Sequence, residues 1–569
     1  MTNIIKLRKS LKIHEVDGYL VPKNDEYFNE YVNPSKDRLK FISNFSGSAG
    51  FAIILKNKNY LFIDGRYTIQ AQIQSGKNFK VVTMPQNFPR DVLKTKKKLK
   101  IGFDPKLHSE KQLNFLFNIK NIVLKPINEN LIDIIWSNKP KDFIKPFFTL
   151  LKKDTGQSTK EKILKIKKLL TKNKVNYLLV TAPENVAWIL NIRGHDSAYS
   201  PTPNARILIS SEGHIDFFSQ SKKIEKIKKV LNGKVRFYNE DQIEKKLRNL
   251  WRNNIWIDTL SCAIHYKNLL KKDNKIIEKL DPIYFFKSIK NSTEIQNMKK
   301  SHIYDGVALT KFLFWLKKSF RKKKITEISA QEKLENFRKI NKTYRFPSFS
   351  TISGSGPNSA IIHYKASLKS NRLLKKGDLY LVDSGGQYSF GTTDVTRTVS
   401  LDNNSSLIKE IYTRVLKGHI AVSNYKIKKN SKGSDIDQKA RKPLRKIKLD
   451  YPHGTGHGVG YFLNVHEGPQ SFSKKNNVDL KNGMIISNEP GYYKKGRFGI
   501  RIENLIYIKK NKFEELTMAP IEKELIKKDL LSKKEISWLN KYHALVEKKL
   551  FKFMNLDEKR NLIEACSPI

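Results

Sequence analysis

Cysteine is scarce in this chain, and long apolar runs are missing. Only two cysteines, Cys262 and Cys566, occur among 569 residues, which excludes the disulfide framework of small secreted domains. No stretch reaches the roughly 18 apolar residues of a membrane-spanning helix, and the amino-terminal segment mixes charges instead of forming the apolar core of a signal peptide. We therefore expect a cytoplasmic protein in a reducing compartment.

Negative charge is also in short supply. Asp and Glu number 54 against 109 Lys and Arg, so the formal net charge is +55. Such an excess can indicate a nucleic-acid or membrane-surface partner, because cations displace counterions from phosphate. Here the excess is mostly lysine spread along the whole chain, and no basic motif has a docking geometry for nucleic acid. We expect a lysine-rich solvated surface, with no nucleic-acid and no membrane partner.

The apolar content predicts a folded protein of several domains. Hydrophobic residues make up 39% and aromatics 11%, too much for a disordered chain, and 569 residues exceed what one core organises. The first segment shows a strand at 51–55, a polar turn and a strand at 60–63. The second opens with an amphipathic helix within 152–170 and then repeats the rhythm of helix, loop, strand, turn and strand. This rhythm indicates either a weak internal repeat or a feature common to α/β domains, and the pattern leaves both open.

A third segment begins near Pro282 and carries the chemistry. Asn291 and Glu294 supply the cap of a long helix. Further on, LYLVDSGGQYSFGTTDVTRTVSL predicts two antiparallel strands, with Asp383 at the end of the first and Asp394 in the second. Paired residues on facing strands have Cβ atoms about 4.5–5.5 Å apart, a spacing that would allow two carboxylates to share a pair of metal ions. The alternative is that each Asp beside Gly is an ordinary turn residue.

Histidines cluster in the segment HGTGHGVGYFLNVHEGP. Three of the chain's twelve histidines, His453, His457 and His466, fall there among alternating glycines, which let the backbone approach a neighbour or a metal closely. Histidine serves as a metal ligand or a proton carrier. A histidine-containing turn without function is the alternative.

Two glutamates complete a set of metal-binding residue types. Glu489 follows an apolar strand, and Glu503 lies in an alternating strand on the same face as Arg501. A glutamate on its own would face solvent, because burying its charge is costly without a partner or a metal. Four carboxylates and one imidazole suit two hard or borderline divalent ions such as manganese. The set that predicts a dinuclear site is Asp383, Asp394, His457, Glu489 and Glu503.

The order Asp, Asp, His, Glu, Glu resembles that of the pita-bread metallopeptidases, the fold of methionine aminopeptidases, prolidases and aminopeptidase P. More narrowly, ISGSGPNSAIIHY, HGTGHGVGYFLNVHEGP and the segment beginning LTMAPIEKELI are similar to the long, cytosolic Xaa-Pro aminopeptidases. The resemblance implies an α/β (α+β) chain of three domains. Two related amino-terminal α/β domains would span 1–150 and 151–283, and a pita-bread catalytic domain with a carboxyl-terminal extension would span 284–569.

The resemblance also implies a role for each site residue. Asp394 and Glu503 would bridge two divalent ions, most simply Mn²⁺, with Zn²⁺ or Co²⁺ as alternatives. Asp383 would bind one ion, and His457 and Glu489 the other. A hydroxide held between the ions would attack the scissile carbonyl, with Glu489 as general base. The remaining catalytic residues would be three histidines lining the substrate groove, of which His466 bonds the peptide carbonyl, and an arginine that orients the bridging carboxylates: His363, His453, His466 and Arg501.

The implied activity is release of the amino-terminal residue from peptides with proline in second position, by a homodimer. An Xaa-Pro bond lacks the N–H that most peptidases bind, so the site must recognise the ring by shape. Two alternatives remain open: a non-catalytic pita-bread protein that binds other proteins, and a prolidase restricted to dipeptides.

Overall fold

The structure is a computed structural model that describes residues 3–94, 97–142, 144–231, 233 and 235–569. The chain divides into two compact units, Met1–Tyr284 and Phe285–Ile569. In the described part of the chain, no helix is both long enough and apolar enough to cross a membrane.

The first unit begins with a six-stranded sheet in the order β4-β3-β2-β1-β5-β6. Its strands are β1 (Gly18–Pro22), β2 (Phe51–Leu55), β3 (Asn59–Asp64), β4 (Lys80–Met84), β5 (Leu99–Phe103) and β6 (Ile122–Pro126). Its helices are α1 (Asn3–Ile13), α2 (Arg38–Ser43), α3 (Thr68–Ser75), α4 (Pro89–Val92), α5 (Glu110–Phe117) and α6 (Leu131–Ile135). The predicted hairpin is present as β2 and β3, in which Phe51 pairs with Phe62.

A second six-stranded sheet follows, in the order β12-β11-β10-β8-β13-β14. The strands of this part are β7 (Phe148–Thr149), β8 (Tyr177–Val180), β9 (Ile192–Arg193), β10 (Arg206–Ser210), β11 (Ile215–Phe218), β12 (Val235–Tyr238), β13 (Asn254–Ile257) and β14 (Lys275–Glu278). Its helices are α7 (Lys152–Thr155), α8 (Thr159–Lys172), α9 (Pro183–Leu190), α10 (Ser221–Lys228), α11 (Gln242–Arg248) and α12 (Ile264–Leu270). Helix α8 is the predicted amphipathic helix, and it buries Ile163, Ile166 and Leu170.

The two large sheets have the same topology. In each, the first strand pairs antiparallel with the second and parallel with the fifth, and the third and fourth strands are parallel. A rhythm shared by unrelated α/β domains would not reproduce both order and direction, so the prediction of two related amino-terminal domains is confirmed. The residue boundaries assigned to the three domains stay predictions.

The second unit combines short sheets with long helices. Its strands are β15 (Tyr344–Pro347), β16 (Ile352–Ser355), β17 (Leu379–Ser384), β18 (Gly386–Tyr388), β19 (Gly391–Thr392), β20 (Val395–Ser400), β21 (Gly456–Gly458), β22 (Glu467–Phe472), β23 (Ile485–Asn488), β24 (Gly491–Lys494), β25 (Phe498–Arg501), β26 (Asn504–Lys509) and β27 (Lys512–Glu515). The remaining helices are α13 (Pro282–Ser288), which crosses the division, α14 (Ser292–Ser319), α15 (Glu327–Lys339), α16 (Ser406–Ser423), α17 (Gly433–Arg445), α18 (Lys533–Leu550) and α19 (Leu556–Cys566). As predicted, Asn291 and Glu294 form the capping box of α14.

Two sheets of this unit carry the predicted ligands, and a helix packs on the first. Strands β16-β17-β20 form one sheet, and β22-β21-β23-β26-β27 form the other. Apolar residues of α14, such as Phe312 and Leu316, share a core with Tyr380, Val382 and Val399 of the first sheet. Burial of this face fixes which side chains of β17 and β20 point away from the helix.

The strand predictions are wrong in two regions, 383–400 and 501–503. Asp394 precedes β20 instead of lying in it, and the partner of Asp383 across the ladder is Thr396. Between β17 and β20 the chain forms the extra strands β18 and β19, and β18 pairs with both β15 and β19 in a separate sheet. The predicted alternating strand is also interrupted, because Arg501 ends β25 and Glu503 precedes β26. Alternation of apolar residues does not mark where a chain leaves one sheet for another.

Candidate metal centre

The five predicted ligands come from five places in the second unit. Asp383 lies in β17, Asp394 directly before β20, His457 in β21, Glu489 directly after β23 and Glu503 directly before β26. Asp383, Asp394 and Glu503 are buried, whereas His457 and Glu489 are partly exposed. Three of the five, Asp394, Glu489 and Glu503, therefore lie directly outside a strand, where the backbone departs from the ladder.

Three of the five converge most closely. Asp394, His457 and Glu503 each offer one ligand atom, and these atoms lie within 4.8 Å of one another. His457 Nε2 is 3.4 Å from Asp394 Oδ2 and 3.5 Å from Glu489 Oε1. His457 Nδ1 lies 2.9 Å from the carbonyl oxygen of Gly458. Donation to that carbonyl leaves Nε2 with the free lone pair that a metal requires.

The glycines around His457 permit close strand packing. A Cβ at Gly456 would lie 1.8 Å from the carbonyl oxygen of Ser487 in β23, and one at Gly458 would lie 2.2 Å from Gln470 Nε2 in β22. Strand β21 therefore fits between its two neighbours only with glycine on either side of His457. Ser487 adds a side-chain link, because its hydroxyl accepts from the amide of His457 and donates to Glu489 Oε1 at 3.1 Å.

Arg501 links two buried carboxylates of the cluster, Asp383 and Glu503. Its Nη2 donates to Asp383 Oδ2 at 2.6 Å, and its Nε donates to the hydroxyl of Thr396 at 3.0 Å. Thr396 in turn donates to Glu503 Oε2 at 2.7 Å. Arg501 therefore holds Asp383 directly and Glu503 through one hydroxyl. The role predicted for Arg501, orienting Asp394 and Glu503, stays a prediction.

Crowded negative charge dominates the electrostatics of the cluster. Burial is the main cause that raises the pKa of Asp383 to about 7; together with the repulsion of Asp394 and Glu489 it outweighs the opposing charge of Arg501. Burial and the charges of Asp394, Glu489 and Asp383 raise the pKa of Glu503 well above its ordinary value.

For His457 and Glu489, the neighbouring charges shift the pKa so that the charged form is favoured. Burial lowers the pKa of His457, but the hydrogen bond with Asp394 and the charge of Glu489 outweigh it and raise the pKa to about 9. Burial would raise the pKa of Glu489, yet the charges of His457, His453 and Arg501 lower it. Glu489 is therefore a carboxylate at neutral pH.

The residues fit a pair of divalent ions. Within the described residues, Asp383 Oδ1 is buried and has no hydrogen-bond partner, although a buried carboxylate oxygen normally has one. A cation between the carboxylates would supply that partner and offset the repulsion that raises their pKa values. Oxygen ligands with one imidazole are a donor set of hard and borderline divalent metals.

The predicted groove histidines lie at different places around the cluster. The ring of His466 is 4.3 Å from that of His457, centroid to centroid. Burial lowers the pKa of His453 to about 4, and both of its nitrogens have partners, the Gly454 carbonyl at 2.7 Å and the Tyr493 hydroxyl at 2.9 Å. His363 is partly exposed and follows a short 3-10 helix, Gly356–Ala360.

Two residues of the site escaped sequence reasoning. Tyr493 accepts a hydrogen bond from Arg501 Nη1 at 2.6 Å and bonds His453, so it links the arginine to a histidine. Thr396 links Arg501 to Glu503. Tyr493 lies four residues after Glu489, and Thr396 lies two after Asp394, so proximity to a ligand was the available signal.

Comparison with known proteins gives matches along the chain. The model of metallopeptidase family M24 matches 296–510, and its C-terminal region model matches 510–569. Models of the creatinase/prolidase N-terminal domain match 4–130 and 138–294. A probable Xaa-Pro aminopeptidase P of Laccaria bicolor is 38% identical over 610 residues, which cover 100% of this chain and 93% of the relative.

Solved structures give the same relation. The X-prolyl aminopeptidase of Caenorhabditis elegans, described as a cytosolic enzyme with a di-nuclear active site, superposes with a TM-score of 0.93 at 31% identity and covers 100% of both chains. The prolidase of Pyrococcus horikoshii reaches a TM-score of 0.54 at 27% identity and covers 99% of its own chain but 64% of this one. The chain therefore belongs to metallopeptidase family M24, in its full-length Xaa-Pro aminopeptidase P branch with the pita-bread catalytic fold.

Proposed function

We propose that this protein is a metal-dependent aminopeptidase that releases the amino-terminal residue from peptides with proline in second position. The observation that carries the proposal is the convergence of Asp394, His457 and Glu503 within 4.8 Å. Full-length similarity to Xaa-Pro aminopeptidases supports the substrate class.

Two divalent ions would be held by the five predicted ligands. Asp394 and Glu503 would bridge the ions, Asp383 would bind one, and His457 and Glu489 the other. When bound, such a pair would lower the pKa of water for attack on the scissile carbonyl and would stabilise the charge that develops there. Manganese is our proposal for the native metal, because the set is rich in oxygen ligands.

Residues of the chain would transfer the proton and orient the substrate. Glu489 is ionised at neutral pH and partly exposed, so it is able to take a proton from the attacking water and return it to the leaving amine. His466 would hydrogen-bond the substrate carbonyl. Arg501 would hold Asp383 in the position that receives the free amino terminus of the substrate, which would limit cleavage to the first residue.

The setting of the activity is also a proposal. We propose a cytoplasmic homodimer that acts on free peptides, with neither nucleic acid nor membrane as partner. The description of the nematode relative as cytosolic supports the compartment. The dimer rests on the family resemblance.

The test compares two substrates and two variants. Metal-stripped protein is assayed with Xaa-Pro-Xaa and Xaa-Pro, with manganese or zinc added back, beside Glu489→Gln. Glu514→Gln is the matched control, because Glu514 lies on β27 and bonds Tyr507 and Lys509 instead of the cluster. We expect metal-dependent cleavage of the tripeptide after Xaa, a loss of at least about 100-fold in Glu489→Gln, and near-normal activity in Glu514→Gln.

Other outcomes would change the assignment. Cleavage of the dipeptide alone would identify a prolidase. Binding of metal without cleavage of either peptide would contradict the catalytic proposal and favour a protein-binding role.

A further inference from the structure

Arg397 lies buried directly beyond the carboxylate cluster. It is the residue after Thr396 in β20, and its side chain is 1% exposed. In the described part of the chain, no carboxylate lies within ion-pair distance of its guanidinium; its six hydrogen bonds go to neutral oxygens. A buried guanidinium whose N–H donors are all engaged in this way fixes the relative positions of the groups that it bonds.

One side of the guanidinium holds the two chain segments beside Glu503. Arg397 Nη1 donates to the carbonyl oxygen of Thr396 at 2.8 Å and to that of Glu503 at 2.7 Å. The amide of Glu503 donates to the same Thr396 carbonyl at 3.2 Å, and the Thr396 hydroxyl donates to the Glu503 carboxylate at 2.7 Å. The backbone that carries Glu503 is therefore fixed at the same point as its side chain.

The other side of the guanidinium reaches the carboxyl-terminal region, residues 510–569. Nε donates to the Pro520 carbonyl at 2.9 Å, and Nη2 donates to the Ala519 carbonyl at 2.8 Å and to the Tyr542 hydroxyl at 3.0 Å. Tyr542 belongs to α18 and is itself buried. Arg397 thus joins this region to the segment bearing Glu503.

We propose that Arg397 is a positioning residue through which the carboxyl-terminal region holds Glu503 in its metal-binding orientation. The inference rests on the proposed function because it takes Glu503 as a metal ligand. The carboxyl-terminal region would then tune metal affinity without contacting metal or substrate. The substitution Arg397→Lys would keep the positive charge but would remove the planar guanidinium that directs the hydrogen bonds.

The experiment measures manganese binding by calorimetry on the full-length protein, together with the unfolding temperature of the metal-free form. The variants are Arg397→Lys and the milder Tyr542→Phe, which removes one hydroxyl from the link. The control is Lys523→Met, because Lys523 bonds the carbonyls of Glu564 and Ser567 within the carboxyl-terminal region and does not reach Arg397.

We expect Arg397→Lys and Tyr542→Phe to bind manganese at least about tenfold more weakly than the natural protein, and Lys523→Met to bind within about twofold. A purely structural role would lower the unfolding temperature and leave affinity unchanged, and wild-type affinity in Tyr542→Phe and in any folded Arg397→Lys would overturn the proposal. The two proposals fail separately: a natural protein that binds manganese but cuts no Xaa-Pro peptide refutes the activity only, whereas normal cleavage with normal affinity in both variants refutes the positioning role only.

Discussion

Protonation of His457 makes the stability of the metal-free protein depend on pH. Its pKa rises from 6.5 to about 9 in the folded, metal-free protein, so the folded state holds the proton more tightly than the unfolded state. This contribution to stability is complete below about pH 6.5 and is lost as pH rises through 9. The sign is opposite to that of a carboxylate with a lowered pKa.

We therefore expect metal-free protein to lose on the order of 2 kcal/mol of unfolding free energy between pH 7 and 9 through this group. Urea unfolding at pH 7, 8 and 9 with a chelator measures the loss, and His457→Gln should lack it. Saturating manganese should also abolish it, because a metal ion bound at Nε2 would replace the proton. Equal slopes in the natural and variant proteins would contradict the assignment.

At the scale of residues, the sequence identifies the candidate metal ligands better than the residues that support them. Asp394, His457 and Glu503 belong to motifs with a chemical signature, and the structure brings them together. Thr396 and Arg397 resemble ordinary residues of an alternating strand. Their roles depend on hydrogen-bond partners more than a hundred residues away, which the local sequence does not show. A hydroxyl that relays a hydrogen bond has no local pattern.

At the scale of elements, β21 depends on how closely three strands approach. A Cβ on Gly456 would meet the Ser487 carbonyl at 1.8 Å, so backbone must move and the carbonyl cannot yield as a flexible side chain would. We expect Gly456→Ala to lower the free energy of unfolding by about 2 kcal/mol or more and to weaken metal binding by moving His457.

Gly65→Ala is the matched control for this prediction. Gly65 also adjoins a strand end, but the nearest atom to its Cβ would be 4.0 Å away. Denaturant unfolding of both variants makes the comparison. A stable Gly456→Ala protein with natural metal affinity would show that the strand is able to shift.

Elements also show where sequence patterns stop being informative. The capping box at Asn291 and the β2–β3 hairpin were predictable because both are set by local residues. The break between Arg501 and Glu503 was not, because apolar alternation continues while the chain passes from β25 to β26. Sheet membership is decided by non-local packing, which a single strand does not encode.

At the scale of the whole molecule, the net charge of +55 opposes folding through self-repulsion. The Debye length falls from about 30 Å at 0.01 M salt to about 8 Å at 0.15 M, which screens exposed lysines more than buried pairs such as Arg338–Asp305. We expect the unfolding temperature to rise by a few degrees over this range of potassium chloride.

Differential scanning fluorimetry measures this effect, and tetramethylammonium chloride is the control for ion identity. Both salts should act alike if screening is the cause. A fall in unfolding temperature with either salt would mean that exposed ion pairs outweigh the repulsion among lysines.

The strand order has a consequence for how the protein is made. β6 completes the first large sheet at Pro126 and β14 completes the second at Glu278. Each sheet therefore has all its strands before the segment bearing the candidate metal ligands leaves the ribosome. The last hydrogen-bond partners of Arg397, up to Tyr542, are synthesised after all five candidate ligands. On the role proposed for Arg397, a nascent chain in which Glu503 has left the ribosome and Tyr542 has not would carry all five candidate ligands without the full set of Arg397 contacts, so high-affinity metal loading would wait for Tyr542.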